Sequence, residues 1–177
     1  YGVYHGPDGI RNIGKKIHSL TSKLAEGLTQ LGYHQINKTY FDTILINIGN
    51  VSMENINTYA EDAKMNFNYI DESTLSISID EKDDLSNVND ILEVFAKSCN
   101  HSDSKNLIKE VLQGDYYEAY NKIPEKLYRN SKYMQHEVFN SYHSETEMMR
   151  YIKRLENKDL SLIHSMISLG SCTMKLN

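Results

Sequence analysis

The stretch Phe67-Asn68-Tyr69-Ile70-Asp71-Glu72-Ser73-Thr74-Leu75-Ser76-Ile77-Ser78-Ile79 decides the architecture. Leu75, Ile77 and Ile79 alternate with Ser76 and Ser78, the period of a strand with one face on a core and the other in water. Phe67 to Ile70 reads as its partner strand, and Asp71, Glu72 and Ser73 as the reversal between them. Upstream, Tyr40 to Ile48 places Ile44, Ile46 and Ile48 on one face and reads as a third strand.

Helical periods surround these strands. Ile10, Ile13, Ile17, Leu20, Leu24, Leu28 and Leu31 recur every three or four residues and form one apolar stripe. Arg11, Lys15, Lys16, Ser19, Lys23 and Glu26 fall on the other face. Pro7 suits the first turn of this helix, and Gly32 its end. Gly14 and Gly27 weaken it, so packing rather than propensity must hold it. Ser52 predicts the cap of a second helix with Ile56, Tyr59, Ala60 and Ala63 inward. A third helix, about 84–96, buries Leu85, Val88, Ile91, Leu92 and Phe95. The sum is an α/β unit with a three-stranded sheet and helices on one face, closing near Ala96.

Lys97 to Met134 is polar, tyrosine-rich and broken at Pro124, and reads as a crossover containing one short helix, 106–113. Ser144 and Glu147 then have the spacing of a capping box. The helix they open runs to about Asn157, with Met148, Tyr151, Ile152 and Leu155 inward and Arg150, Lys153 and Arg154 toward solvent. Residues 161–177 show no clear period.

Composition excludes several classes of function. The chain has 177 residues, 40% hydrophobic, and a net charge of −5, so no positive field draws nucleic acid or an acidic membrane. Mean hydropathy is −0.56, and the apolar run at 44–48, interrupted by Asn47, is too short to span a bilayer. Two cysteines, Cys99 and Cys172, make neither a disulfide framework nor a zinc site. The seven histidines show no metal spacing, and no metal is expected. The chain opens on Tyr1 and stops at Asn177, and both ends read as cut.

Chemistry enters through two stretches. His136-Glu137-Val138-Phe139-Asn140-Ser141-Tyr142-His143-Ser144-Glu145-Thr146-Glu147 and His164-Ser165-Met166-Ile167-Ser168-Leu169-Gly170-Ser171-Cys172-Thr173-Met174-Lys175-Leu176-Asn177 resemble the middle of the glycine decarboxylases, the P-proteins of the glycine cleavage system. Val3-Tyr4-His5-Gly6-Pro7-Asp8-Gly9-Ile10 and Phe41-Asp42-Thr43 resemble the same family. The resemblance implies two tandem fold-type-I (aspartate aminotransferase-like) halves. Residues 1–96 then correspond to the small C-terminal domain of the first half. Residues 97–141 are the crossover linker, and 142–177 the N-terminal segment of the second, cofactor-carrying half. It further implies pyridoxal 5'-phosphate as cofactor, glycine as substrate, the lipoyl group of H-protein as acceptor of the aminomethyl group, and a homodimer. The family's compartment is the mitochondrial matrix in eukaryotes and the cytoplasm in bacteria, the former being favoured here.

In that family a lysine holding the cofactor follows a histidine and precedes a glycine-rich run. This sequence has no His-Lys pair, so the chain alone is expected to be inactive. The resemblance places Gly170, Ser171, Cys172 and Thr173 near substrate and cofactor: glycine admits close backbone approach, and the hydroxyls can donate or accept. His143, before the helix cap, is the remaining candidate, against the plainer reading of a histidine satisfied by its local turn. Cys172 reads more simply as a buried, inert thiol. Ser168 stands where the family usually has proline, which frees φ and adds an N–H. An alternative of another class is a non-catalytic α/β interaction module that binds through the basic face Arg11–Lys23. Without the rest of its parent protein, the apolar stripe of the first helix is expected to lack a packing partner, giving poor solubility or oligomerisation.

Overall fold

A computed structural model describes residues 1–113 and 123–159. In chain order the elements are α1 (Gly2–Gln30), β1 (His34–Gln35), β2 (Thr43–Asn47), α2 (Met53–Asp62), β3 (Asn68–Tyr69), β4 (Thr74–Ser78), α3 (Leu85–Ser98), α4 (Ser104–Leu112) and α5 (Glu145–Glu156). They divide into two units, Arg11–Asn130 and Tyr1–Ile10 with the residues from Ser131 on.

In the Arg11–Asn130 unit the strands form one antiparallel sheet in the order β1-β2-β4-β3. Ile44 pairs with Ile77 and Ile46 with Leu75, so the buried residues of the two central strands share a face. The hairpin expected from the alternation is present, with Tyr69 opposite Leu75 and Asn68 opposite Ser76. The sheet has four strands, not the three expected. The extra one, β1, sets His34 against Asn47 and Gln35 against Ile46. Two residues are too few to show alternation, which is why pattern alone misses it. Beyond β1 the side chain of Asn37 continues the pairing: its Nδ2 donates to Thr43 O at 3.0 Å, and its Oδ1 accepts from Leu45 N at 2.9 Å.

Helix α1 ends as the glycine predicted. Gly32 takes φ +95°, Tyr33 N bonds Leu28 O at 3.0 Å and Gly32 N bonds Thr29 O at 3.0 Å, the paired bonds of a Schellman motif. Its start differs. The helix begins at Gly2 and breaks at Gly6, so Pro7 opens its long segment rather than the element itself. Gly27 allows close approach: a Cβ there would lie 2.6 Å from Leu92 Cδ2 of α3, a buried side chain.

Of the stripe, Leu20, Leu24, Leu28 and Leu31 are covered by this chain's own core, so the expected lack of a packing partner does not hold there, while Ile10, Ile13 and Ile17 are only half-buried. Part of the other face is buried too. Ser19 is fully buried, and Lys23 nearly so. Lys23 is held at the end of α4, whose Ile108 and Val111 are buried: its Nζ donates to Val111 O and to Gln113 O just past the helix, both at 3.0 Å. Side chains buried on α2, by contrast, are only Ile56 and Ala60, with Tyr59 and Ala63 outside. Ser52 stands at its N-cap without a side-chain bond. On α3 the cap is Asp84, in a reciprocal box with Asn87. Buried Phe95 closes the core against Tyr33 and Phe67, with ring centroids 5.0 and 5.4 Å away.

Candidate functional site

Of the residues singled out in the sequence, Gly170, Ser171, Cys172 and Thr173 lie outside the described residues, and His143 lies within them. His143 stands just before α5, and its position follows from that helix's cap. Ser144 Oγ accepts from Glu147 N at 3.3 Å, and the Glu147 carboxylate accepts from Ser144 N at 3.3 Å and from Ser144 Oγ at 2.9 Å. The capping box read from the sequence is therefore formed.

The imidazole reaches back to the start of the chain. His143 Nδ1 lies 2.8 Å from Tyr4 O. A carbonyl oxygen only accepts, so Nδ1 carries the proton and Nε2 of the neutral ring carries the lone pair. The partner is thus not the local turn but a carbonyl 139 residues away. Tyr133 Oη donates to Pro7 O at 2.8 Å, and the Phe139 and Met134 side chains close over Gly2. His136 behaves differently: its Nδ1 accepts from Val138 N at 3.2 Å.

On α5, Tyr151 stacks with Tyr142 at 4.3 Å between centroids, and the Arg154 guanidinium lies 5.4 Å from both centroids and donates to Tyr142 Oη. Arg154, read as a solvated charge, is therefore part of a cation–π cluster. Met148 and Tyr151 are half-buried, as the inward stripe predicts, but Ile152 and Leu155 are exposed among the described residues.

Hydrogen bonds from Ser144, side chain first, hold the Glu147 carboxyl below its ordinary 4.5. A carboxyl whose folded pKa is depressed stabilises the fold above its unfolded pKa, and that stabilisation is lost as pH falls through the folded value. In a carbon-13 carboxyl titration, Glu147 is expected to have its midpoint below 4.5, and Ser144→Ala to move it upward. A wild-type midpoint at or above 4.5 contradicts the cap.

No group of three or more His, Cys, Asp or Glu among the described residues is placed to hold a metal ion. None of their helices is long and apolar enough to cross a membrane. A cleft of about 360 Å³ beside β3 and β4 is lined by Asn68, Ser76, Asp83 and Asn87. Its polar groups are engaged with neighbours: Asn68 Nδ2 donates to Ser76 Oγ, while Asp83 and Asn87 accept from the backbone N–H groups of Asp80 and Asp84. That arrangement offers no nucleophile with an adjacent base. Lys23, the buried lysine of this set, spends its ammonium on the end of α4.

The sheet and the helices on its apolar face place the chain among mixed α/β proteins. Residues 1–95 match the family described as Glycine cleavage system P-protein, and the chain belongs to that family. It is 47% identical over 178 residues to a glycine dehydrogenase (decarboxylating) of Bacteroides fragilis. It is 44% identical over 177 residues to one of Flavobacterium johnsoniae and 43% over 178 residues to one of Nostoc sp.. Each match covers all of this chain and 18% of the relative. The chain thus spans about a fifth of the length of these relatives.

Proposed function

We propose that this chain forms part of a glycine dehydrogenase (decarboxylating), which decarboxylates glycine and passes the aminomethyl group to the lipoyl group of H-protein. The observation that carries this reading is the 47% identity, which extends along the whole chain rather than over one motif. In this reading pyridoxal phosphate supplies the electron sink for decarboxylation. Its lysine lies elsewhere in the protein, since no His-Lys pair occurs in these residues, and the 177-residue chain alone is inactive. Residues 1–96 serve as the small domain of a first fold-type-I half, 97–141 as the crossover and 142–177 as the opening of the second half. The assembly is a homodimer. The relatives compared are bacterial, which supports a cytoplasmic rather than a mitochondrial setting.

What these residues contribute is position. Gly170 admits close approach of the backbone to bound substrate, and the Ser171 and Thr173 hydroxyls orient it. The test uses the protein of the relatives' length that carries this sequence, assayed for glycine-dependent exchange of carbon dioxide with pyridoxal phosphate and lipoylated H-protein. Activity is expected, and its absence refutes the assignment. Ser171→Ala with Thr173→Ala is expected to lower kcat by at least about tenfold, the scale of lost positioning contacts. Unchanged kinetics remove both hydroxyls from the site.

A further inference from the structure

We infer that His143 is a positioning residue that locks the kink of α1 at Gly6, its ring held as the Nδ1–H form and its Nε2 left as a hydrogen-bond acceptor. Gly6 has φ 64° and ψ −176°, a conformation that residues with a Cβ scarcely adopt. The space beside it is also taken. A Cβ at residue 6 would lie 2.7 Å from His143 Cε1 and 2.8 Å from Phe139 O. Backbone conformation and packing thus call for glycine at the same place, and the imidazole supplies much of the packing.

The lock grips the kink on both sides. His143 Nδ1 holds Tyr4 O before it, and Tyr133 Oη holds Pro7 O after it. The histidine is itself fixed by the Ser144–Glu147 box that immediately follows it. A ring anchored to a capped helix and bonded at one nitrogen cannot exchange tautomers without breaking the Tyr4 bond. Its second nitrogen is therefore a standing acceptor for a donor such as a hydroxyl, an ammonium or an amide N–H.

His136 provides an internal control, because its Nδ1 accepts from Val138 N and its neutral ring must carry the proton on Nε2. Imidazole nitrogen-15 spectra of the full chain at a pH where both rings are neutral are expected to show opposite tautomers for the two residues. His143 should give a protonated Nδ1 and an unprotonated Nε2. The Nε2–H pattern at His143, or signals averaged between the two forms, overturns the inference.

A mutant cycle tests the lock itself. Gly6→Ala is expected to lower Tm by about 5 °C. His143→Asn removes Cε1 but keeps an N–H donor near the position of Nδ1. In that background Gly6→Ala is expected to lose distinctly less, because part of the collision is gone. Losses equal in the two backgrounds show that the ring and the kink are uncoupled and overturn the lock.

Discussion

Phe95→Ala is expected to destabilise the Arg11–Asn130 unit by about 3–5 kcal/mol, the usual range for removing a fully buried phenylalanine. The side chain has no solvent exposure and sits between two other rings. Tyr33 meets it edge-on at an interplanar angle of 90°, and Phe67 is tilted at 47°. Such aromatic pairs add about 0.5–1.5 kcal/mol beyond area burial. The same residue's carbonyl accepts from Tyr33 Oη at 2.8 Å, and burial pushes the Tyr33 phenol well above its ordinary pKa of 10.0. A hole at residue 95 therefore loosens the tyrosine as well. Urea unfolding should show a lowered midpoint with an unchanged slope. A loss under about 1 kcal/mol would mean that the site collapses around the alanine, against the packing described.

The second large effect is Lys23→Met, expected to cost about 2 kcal/mol through two charge-assisted hydrogen bonds. Methionine keeps the apolar stem but removes the ammonium from Val111 O and Gln113 O. Those carbonyls lie at the end of α4, where the helix dipole is negative and a cation stabilises. The loss should be local: hydrogen exchange is expected to quicken first in Ser104–Leu112, while the β2–β4 ladder keeps its protection. Lys23→Arg should retain part of the effect. Unchanged exchange in α4 would show that the lysine is not what fixes that helix to α1.

Lys23 also marks where the sequence stopped being informative. Periodicity identifies which residues of a helix resemble one another, and it assumes that a single side is covered. On α1 a second side is covered by a segment some ninety residues later, and no spacing rule connects Lys23 with Gln113. The long alternations were legible because each buried residue repeats the signal: Ile44, Ile46, Leu75 and Ile77 all lie where the pattern put them. Strand β1 has two residues and repeats nothing. At the candidate site the capping box was legible, being local in sequence. The Tyr4 contact of His143 was not, because its partner is a backbone carbonyl with no sequence signature. The Gly6-Pro7 dipeptide did carry a signal, since adjacent glycine and proline punctuate helices.

Asn37 has a consequence for how this chain behaves among copies of itself. A strand that outruns its neighbour leaves bare amides and carbonyls, which invite the edge of another molecule. Past the two residues of β1, β2 would be such an edge at Leu45 and Thr43. The Asn37 carboxamide answers Leu45 N and Thr43 O in place of a further stretch of backbone. One side chain thus stands in for a missing strand and withdraws these two groups of β2 from cross-β association.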